Sequence, residues 1–485
     1  MKLHRPHPVT MWRFVSRFFF LLIVPLVQAI LREPFSEVAW GNLPLVLLVL
    51  GIAYFQYSCC GYAVYSPEEE LLFQLRTHEP LTGKGPLVIW KNGFLLRREL
   101  MLPTRNIASA FLRTNPLLSL FGAGKLLLDT PAANAKKPSL TLFLKKQSLL
   151  DWWEGLRSSV THRYRANTIP VVLMAASWSN PASGLLLVSL LLDRAGAILG
   201  EELTGELYDS VNQTQRLIAL GLPPAVALFG WLLALGWFLA FLVQMFRYAF
   251  FTVEQTPYGT LISRGAVVKS RQLLTAQSVR AISVRQTLVM RVLRRFSVYL
   301  HTIGSGKEKG DRSLLLAAAR QEDMRRHVEQ FYPRAASYLW QQQEKISPPK
   351  RSLMGFVLGP MWQAVFIVVW YVLFRIYLPL FAPLVLFFLV FPAYFLVLHV
   401  MAWKKSFLTL SDGHITACGY VQGQLYTAVV PLELLQAVVI RQNPFQRKSG
   451  RCHVRLCVGT EQGACFDLYH FSLQEVQRFE RYMQQ

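Results

Sequence analysis

Long uncharged blocks alternate with charged ones along this chain. Residues 38–65, 170–192, 217–246 and 353–374 carry no charged side chain, and 376–403 carries only His399. Each block reaches the roughly 20 apolar residues that a membrane-crossing helix needs. A shorter run, 18–31, follows Arg13 and Arg17, long side chains that snorkel to headgroups. Its basic start and Val27-Gln28-Ala29 also fit a cleaved signal peptide. Short connections at 32–37, 193–216 and Arg375 alone group six spans into three hairpins, with the long polar segments on one side.

Those polar segments read as β-structure closed by a helix. Ile282 and Val284 alternate with Ser283 and Arg285, the period of a half-buried strand. Val298 and Leu300 repeat the pattern after a polar connection, as do Val454, Leu456 and Val458. Helical spacing follows at Leu149, Trp152, Trp153 and Leu156, at Met324, Val328, Phe331 and Tyr332, and at Leu473, Val476 and Phe479.

The same segments align without gaps. Residues 112–130 read LRTNPLLSLFGAGKLLLDT, 284–302 read VRQTLVMRVLRRFSVYLHT and 440–458 read IRQNPFQRKSGRCHVRLCV. Each opens with an aliphatic residue and an arginine. Asn115-Pro116 recurs as Asn443-Pro444, Pro103 meets Pro431, and Ala110, Ile282 and Val438 share one position.

Charge orients the arrangement. The chain has 51 Lys+Arg against 28 Asp+Glu, a formal net charge of +23. The excess is densest at 247–352, with 19 basic and 7 acidic residues, whereas 193–216 is acidic. By the positive-inside rule both termini and all three large segments are expected in the cytoplasm. Six cysteines without a CxxC pair fit ordinary packing better than a disulfide framework or a zinc site. Cys452 and Cys457 lie on opposite faces of one strand.

The strand–connection–strand core, NIASAFLRTNPLLSLFGAGKLLLDT in the first segment and VRAISVRQTLVMRVLRRFSVYLHT in the second, resembles YdbS/YdbT-type bacterial multi-pass membrane proteins. These are built from the second family of bacterial pleckstrin-homology-like (PH-like) domains. The first segment keeps the family's Leu120-Phe121-Gly122; the second carries Leu293-Arg294-Arg295 there, and the third Lys448-Ser449-Gly450. The resemblance implies an α+β membrane protein with six transmembrane helices in three hairpins, each followed by a PH-like β-module with a C-terminal helix. The expected boundaries are hairpins at 12–65, 169–246 and 352–403 and modules at 66–168, 247–351 and 404–485. It also implies the bacterial inner membrane and, as partner, a smaller sibling with one hairpin and one module, or a homo-oligomer.

No catalytic motif occurs: no GxGxxG, Walker A, GxSxG or HExxH. Neither a cofactor nor a metal is expected, and the chain reads as a non-enzyme. The basic residues are spread over three modules without a recognition motif, which disfavours nucleic acid. Candidate contacts to lipid or partner are the aligned Arg113, Arg285 and Arg441, with Lys269, Arg271, Arg291, Arg294 and Arg295 of the middle segment. A solvated arginine beside a strand is the bland alternative. Asn115-Pro116 and Asn443-Pro444 are candidate partner contacts, or simple turns. The expected function is a membrane-anchored scaffold whose modules bind anionic headgroups or proteins at the inner membrane face. A transporter or export component gated by the modules is the alternative.

Overall fold

The structure is a computed structural model that describes residues 4–16, 35–65, 87–92, 98–103, 106–131, 138–178, 224–303, 313–340, 345–379, 382–411, 413–421, 423–460 and 464–484. Nineteen strands are defined among them, in antiparallel sets of three or four. The first set is β1 (Gly61–Tyr65), β2 (Leu87–Asn92) and β3 (Arg98–Pro103). The second is β4 (Ser109–Thr114), β5 (Ala123–Asp129) and β6 (Leu140–Lys145). Then come β7 (His162–Arg165), β8 (Thr252–Thr256), β9 (Gly259–Arg264) and β10 (Lys269–Leu274), followed by β11 (Val279–Gln286), β12 (Arg295–Thr302) and β13 (Ser313–Arg320). The last two sets are β14 (Phe407–Ser411), β15 (His414–Val421) and β16 (Gln424–Pro431), and β17 (Leu435–Arg441), β18 (Arg451–Val458) and β19 (Cys465–Ser472). Helices Lys146–Arg157, Gln321–Phe331 and Leu473–Gln484 follow β6, β13 and β19.

Two kinds of contact join these sets. Face to face, β8, β9 and β10 pack on β11–β13. Their core holds Phe251, Val253, Ile262 and Leu274 against Leu314–Leu316, and Met324, Val328 and Phe331 of the following helix close it. Edge to edge, the sets fuse across the expected module boundaries. The sheet order β6-β5-β4-β10-β9-β8-β7 joins the first module to the second, and β13-β12-β11-β16-β15-β14 joins the second to the third. We call the β4–β10 and β11–β16 pairings seams. Ala110 pairs with Leu273 in the first, and Ile282 with Val429 in the second. In the gap-free alignment Ala110 meets Ile282 and Leu273 meets Val429, so both seams have one register.

The seam explains a difference from the sequence pattern. β11 buries Ile282 and Val284 as expected, but Ser283 is buried as well. A central strand in a seam is covered on both faces, and Ser283 satisfies its hydroxyl against His301 Nε2 at 2.8 Å. β18, which belongs to no seam, keeps the strict alternation, with Cys452, Val454, Leu456 and Val458 buried. Cys457 faces the other side and forms a disulfide with Cys465 on β19, where separate packing was expected.

The expectation of six transmembrane helices in three hairpins is overturned. Among the described residues one helix, Lys350–Tyr377, is long and apolar enough to cross a membrane, with mean hydropathy 1.9. The span 18–31, the loop 193–216 and the adjoining parts of its two flanking spans lie outside the described residues. Elsewhere the apolar runs are divided. The run 38–65 is helical only to Ser58 and turns into β1, where the aromatic and β-branched residues Tyr62, Val64 and Tyr65 suit a strand. The described apolar stretches of the other runs are Leu43–Ser58, Thr168–Ser177 and Leu232–Tyr248. The run 376–403 splits into Ala382–Phe387 and Val390–Lys405. Pro379 follows the end of the preceding helix, and Pro392 sits in the first turn of the next, positions where a missing N–H breaks no helical bond. Arg375, expected in an outer loop, belongs to the last turn of Leu353–Tyr377.

Candidate functional site

Three short helices occupy equivalent places between the strands that flank them: Pro116–Leu120, Leu288–Val292 and Pro444–Lys448. Their start signals are local. Asn115, Thr287 and Asn443 are extended N-cap residues, and Pro116 and Pro444 stand in the first turn. The Thr287 hydroxyl accepts the Met290 N–H, and Asn443 and Gln446 form a reciprocal capping box. The Asn-Pro pairs are therefore helix starts.

Each helix ends in a left-handed residue: Gly122 at φ 66°, Arg294 at φ 51° and Gly450 at φ 62°. Arg294 thus stands where glycine stands in the other two. The segment equivalent to Leu120-Phe121-Gly122 is Val292-Leu293-Arg294, one position earlier than the expected Leu293-Arg294-Arg295. A side chain in this conformation costs about 1 kcal/mol. Arg294→Gly is therefore expected to stabilise the protein by about 1 kcal/mol in denaturant unfolding. An unchanged or lower midpoint would show that the Arg294 side chain makes a compensating contact.

These helices point apolar side chains at solvent. Leu120 is 79% exposed, Val292 83% and Phe445 87%; Leu117, Phe121, Val289 and Leu293 are exposed too. Basic residues surround them. Arg291, Arg294 and Arg295 flank the second tip, Arg447 and Lys448 belong to the third, and Lys146 reaches Ser119 of the first at 2.7 Å. Exposed apolar residues ringed by positive charge form a surface suited to the boundary between headgroups and acyl chains.

Beneath the second tip lies a cavity of about 420 Å³ at the end of the β11–β16 seam. Arg291, Lys345, Lys404 and Lys405 line it together with the hydroxyl-bearing Tyr426 and Thr427, and no carboxylate lines it among the described residues. The Lys345 ammonium also lies 4.7 Å from the centre of the Phe407 ring. Burial, and then the charge of Arg291, push the Lys405 ammonium below the ordinary lysine value. Four cationic side chains on one cavity wall, with no carboxylate among the described lining residues, suit an anion with several oxygen acceptors.

The apolar helices place this cavity. Leu353–Tyr377 and Val390–Lys405 pack together, and His399 Nδ1 donates to the Phe356 carbonyl at 2.8 Å between them. Phe356, Leu398 and Ala402 form a small core with Leu425 of β16 and Leu288 of the second tip. The first helix is preceded by Lys350 and Arg351, and the second ends in Lys404 and Lys405. Cations therefore mark the end of the helix pair that meets the β-sheets.

Of the expected residues, Arg291 lines this cavity, Arg294 ends the tip in the left-handed conformation, and Arg295 opens β12, where its guanidinium donates to the Ala318 carbonyl. Arg113, Arg285 and Arg441 go elsewhere, to matching positions near the ends of β4, β11 and β17. Arg113 is half-buried at the first seam opposite Ser270. Arg285 pairs with Tyr426 in the second, and its guanidinium lies 5.3 Å from the Tyr299 ring centre. Arg441 is exposed. Lys269 is exposed opposite Thr114 at the first seam. Arg271 lies 5.9 Å from the Trp153 ring centre, its guanidinium pushed below the usual value by burial and then by Arg157. Sequence reasoning missed Lys345, Lys404 and Lys405. The Lys404-Lys405 pair directly after an apolar run was the available signal. No curated protein and no solved structure matches this chain. Residues 217–332, which take in helix Pro224–Tyr248, strands β8–β13 and helix Gln321–Phe331, match the family described as bacterial PH domain.

Proposed function

We propose that this protein is a non-enzymatic scaffold at the cytoplasmic face of a bacterial inner membrane, holding PH-like β-structure against anionic lipid. The observation that carries the reading is the cavity with four cations directly beneath an exposed apolar tip. The tip offers apolar surface to the bilayer, and the cavity offers charge to a phosphate-bearing headgroup. Two features support it. The matched PH domain surrounds the second tip, and the helix long enough to cross a membrane has its basic end beside the cavity. The Lys/Arg excess in 247–352 favours the cytoplasmic side.

Native mass spectrometry of the full chain in mild detergent tests this, with phosphatidylglycerol and phosphatidylcholine titrated separately. The anionic lipid is expected to be retained preferentially, and less so as salt rises. Each basic group near an anionic surface contributes about 1 kcal/mol, so replacing Arg291, Lys404 and Lys405 together by glutamine should weaken retention roughly 100-fold. Equal retention of both lipids by the unaltered protein would end this reading.

A further inference from the structure

Both seams pair the same kinds of strand: the first strand of one set (β4, β11) with the last strand of another (β10, β16). At the two ends of the array one strand of each kind remains. β3 is the equivalent of β10 and β16, and β17 is the equivalent of β4 and β11. Neither has a neighbour on its outer edge among the described residues, because each terminates a three-stranded sheet.

β17 is built like a seam strand. Its sequence, LQAVVIR, has five apolar residues in seven, and its bulge between Leu435 and Ala437 falls at the aligned position of the β11 bulge between Val279 and Ala281. Yet no residue of β17 is buried, whereas its counterparts are buried through most of β4 and β11. The missing cover is the neighbouring strand. A long, apolar, unprotected edge is a template for strand addition.

We propose that β17 of one copy accepts β3 of a second copy as a third seam, joining chains head to tail. Each copy carries both halves of the contact, and the internal seams supply its register. The alignment places Met101 with Leu273 and Val429, and Val438 with Ala110 and Ile282. Val438 therefore faces Met101 of the next copy, Ala437 faces Leu102, Val439 faces Leu100 and Ile440 faces Glu99. The next position would oppose Arg441 to Arg98, two like charges, so the ladder ends there. Pro103 falls just past the other end, as Pro431 does beyond the last β11–β16 pair, and its missing N–H breaks no seam bond. A head-to-tail contact of this kind forms either a closed ring or an open chain.

Crosslinking of the full chain in mild detergent tests the register. In a background with Cys59 replaced by serine, Met101→Cys and Val438→Cys variants are prepared singly, mixed and mildly oxidised. Unfolding midpoints matching the unaltered chain establish that each single variant is folded. The mixture is expected to yield a disulfide-linked dimer containing one of each, and neither variant alone should do so. The double variant should yield larger linked species. Dimers from Val438→Cys alone would mean that β17 pairs with itself, and would overturn the proposal. So would recovery of monomer only, or a double variant linked within one chain. Because the contact is backbone pairing and apolar cover, linkage should persist in salt that releases anionic lipid, which keeps this test separate from the lipid reading.

Discussion

Trp153→Ala is expected to cost about 3–5 kcal/mol in an unfolding titration of the full chain. Trp153 is 1% exposed and lies in a core that includes Leu102 of β3, Leu112 and Leu142 of the second set, and Leu261 and Leu273 of the set fused to it. Removing the indole leaves a cavity where sets from two modules meet, and the loss is a large share of the 5–15 kcal/mol that holds a typical domain. The neighbouring Trp152, whose ring meets that of Trp153 edge-on at 6.5 Å, is 40% exposed. Trp152→Ala should therefore cost less than about 1 kcal/mol. Similar losses for the two variants would mean that helix Lys146–Arg157 does not present this face to the sheet.

The second large effect is expected at Glu254 on β8. Its side chain is almost fully buried and accepts two hydrogen bonds of 2.6 Å from Arg157, with Arg163 at 3.1 Å. Arg157 ends the helix that follows β6, so this pair fastens the first module to the second. Arg271 lies in the same electrostatic neighbourhood. Glu254→Gln would take the ion-pair partner from Arg157 and Arg163 and leave Glu154 as the carboxylate acting on Arg157 and Arg271. A loss of about 3 kcal/mol is expected, at the low end for a broken buried pair because Arg157 keeps partial access to water. Adding Arg271→Met should recover part of it, since the pair of changes removes a charge from each side. A Glu254→Gln loss below about 1 kcal/mol, or no recovery in the double variant, would show that the carboxylate does not hold this contact together.

Both predictions concern places where modules meet, and the seams bear on function as well. The second seam places β11, which leads to the second tip, beside β16, which lies under the helix ending at Lys404 and Lys405. A module folded apart from its neighbour would lack half of the cavity. The lipid experiment therefore uses the full chain, and strength of binding is expected to follow seam integrity as well as charge.

Much of the local structure was legible in side-chain spacing. The strands around Ile282 and Val454, and the helical faces at Met324, Val328 and Phe331 and at Val476 and Phe479, are where the periodicity places them. The membrane architecture was not. Hydropathy counts apolar residues but cannot tell a crossing helix from a run divided into the helices Ala382–Phe387 and Val390–Lys405, or from one that turns into strand β1 after Ser58. The candidate site was legible only in part. Of the expected residues Arg291 lines the cavity, while the aligned Arg113, Arg285 and Arg441 lie near the ends of β4, β11 and β17.

By itself, the sequence determined the short-range features: the period of the strands and helices and the excess of positive charge beside the apolar blocks. These depend on residues within a few positions of one another. Only the tertiary structure decided which edges meet, that Lys345, Lys404 and Lys405 share a cavity with Arg291, and that β3 and β17 have no outer neighbour among the described residues. Strand edges pair through backbone N–H and C=O groups, which every non-proline residue carries alike, so the choice of neighbour leaves no signature in any single stretch of side chains.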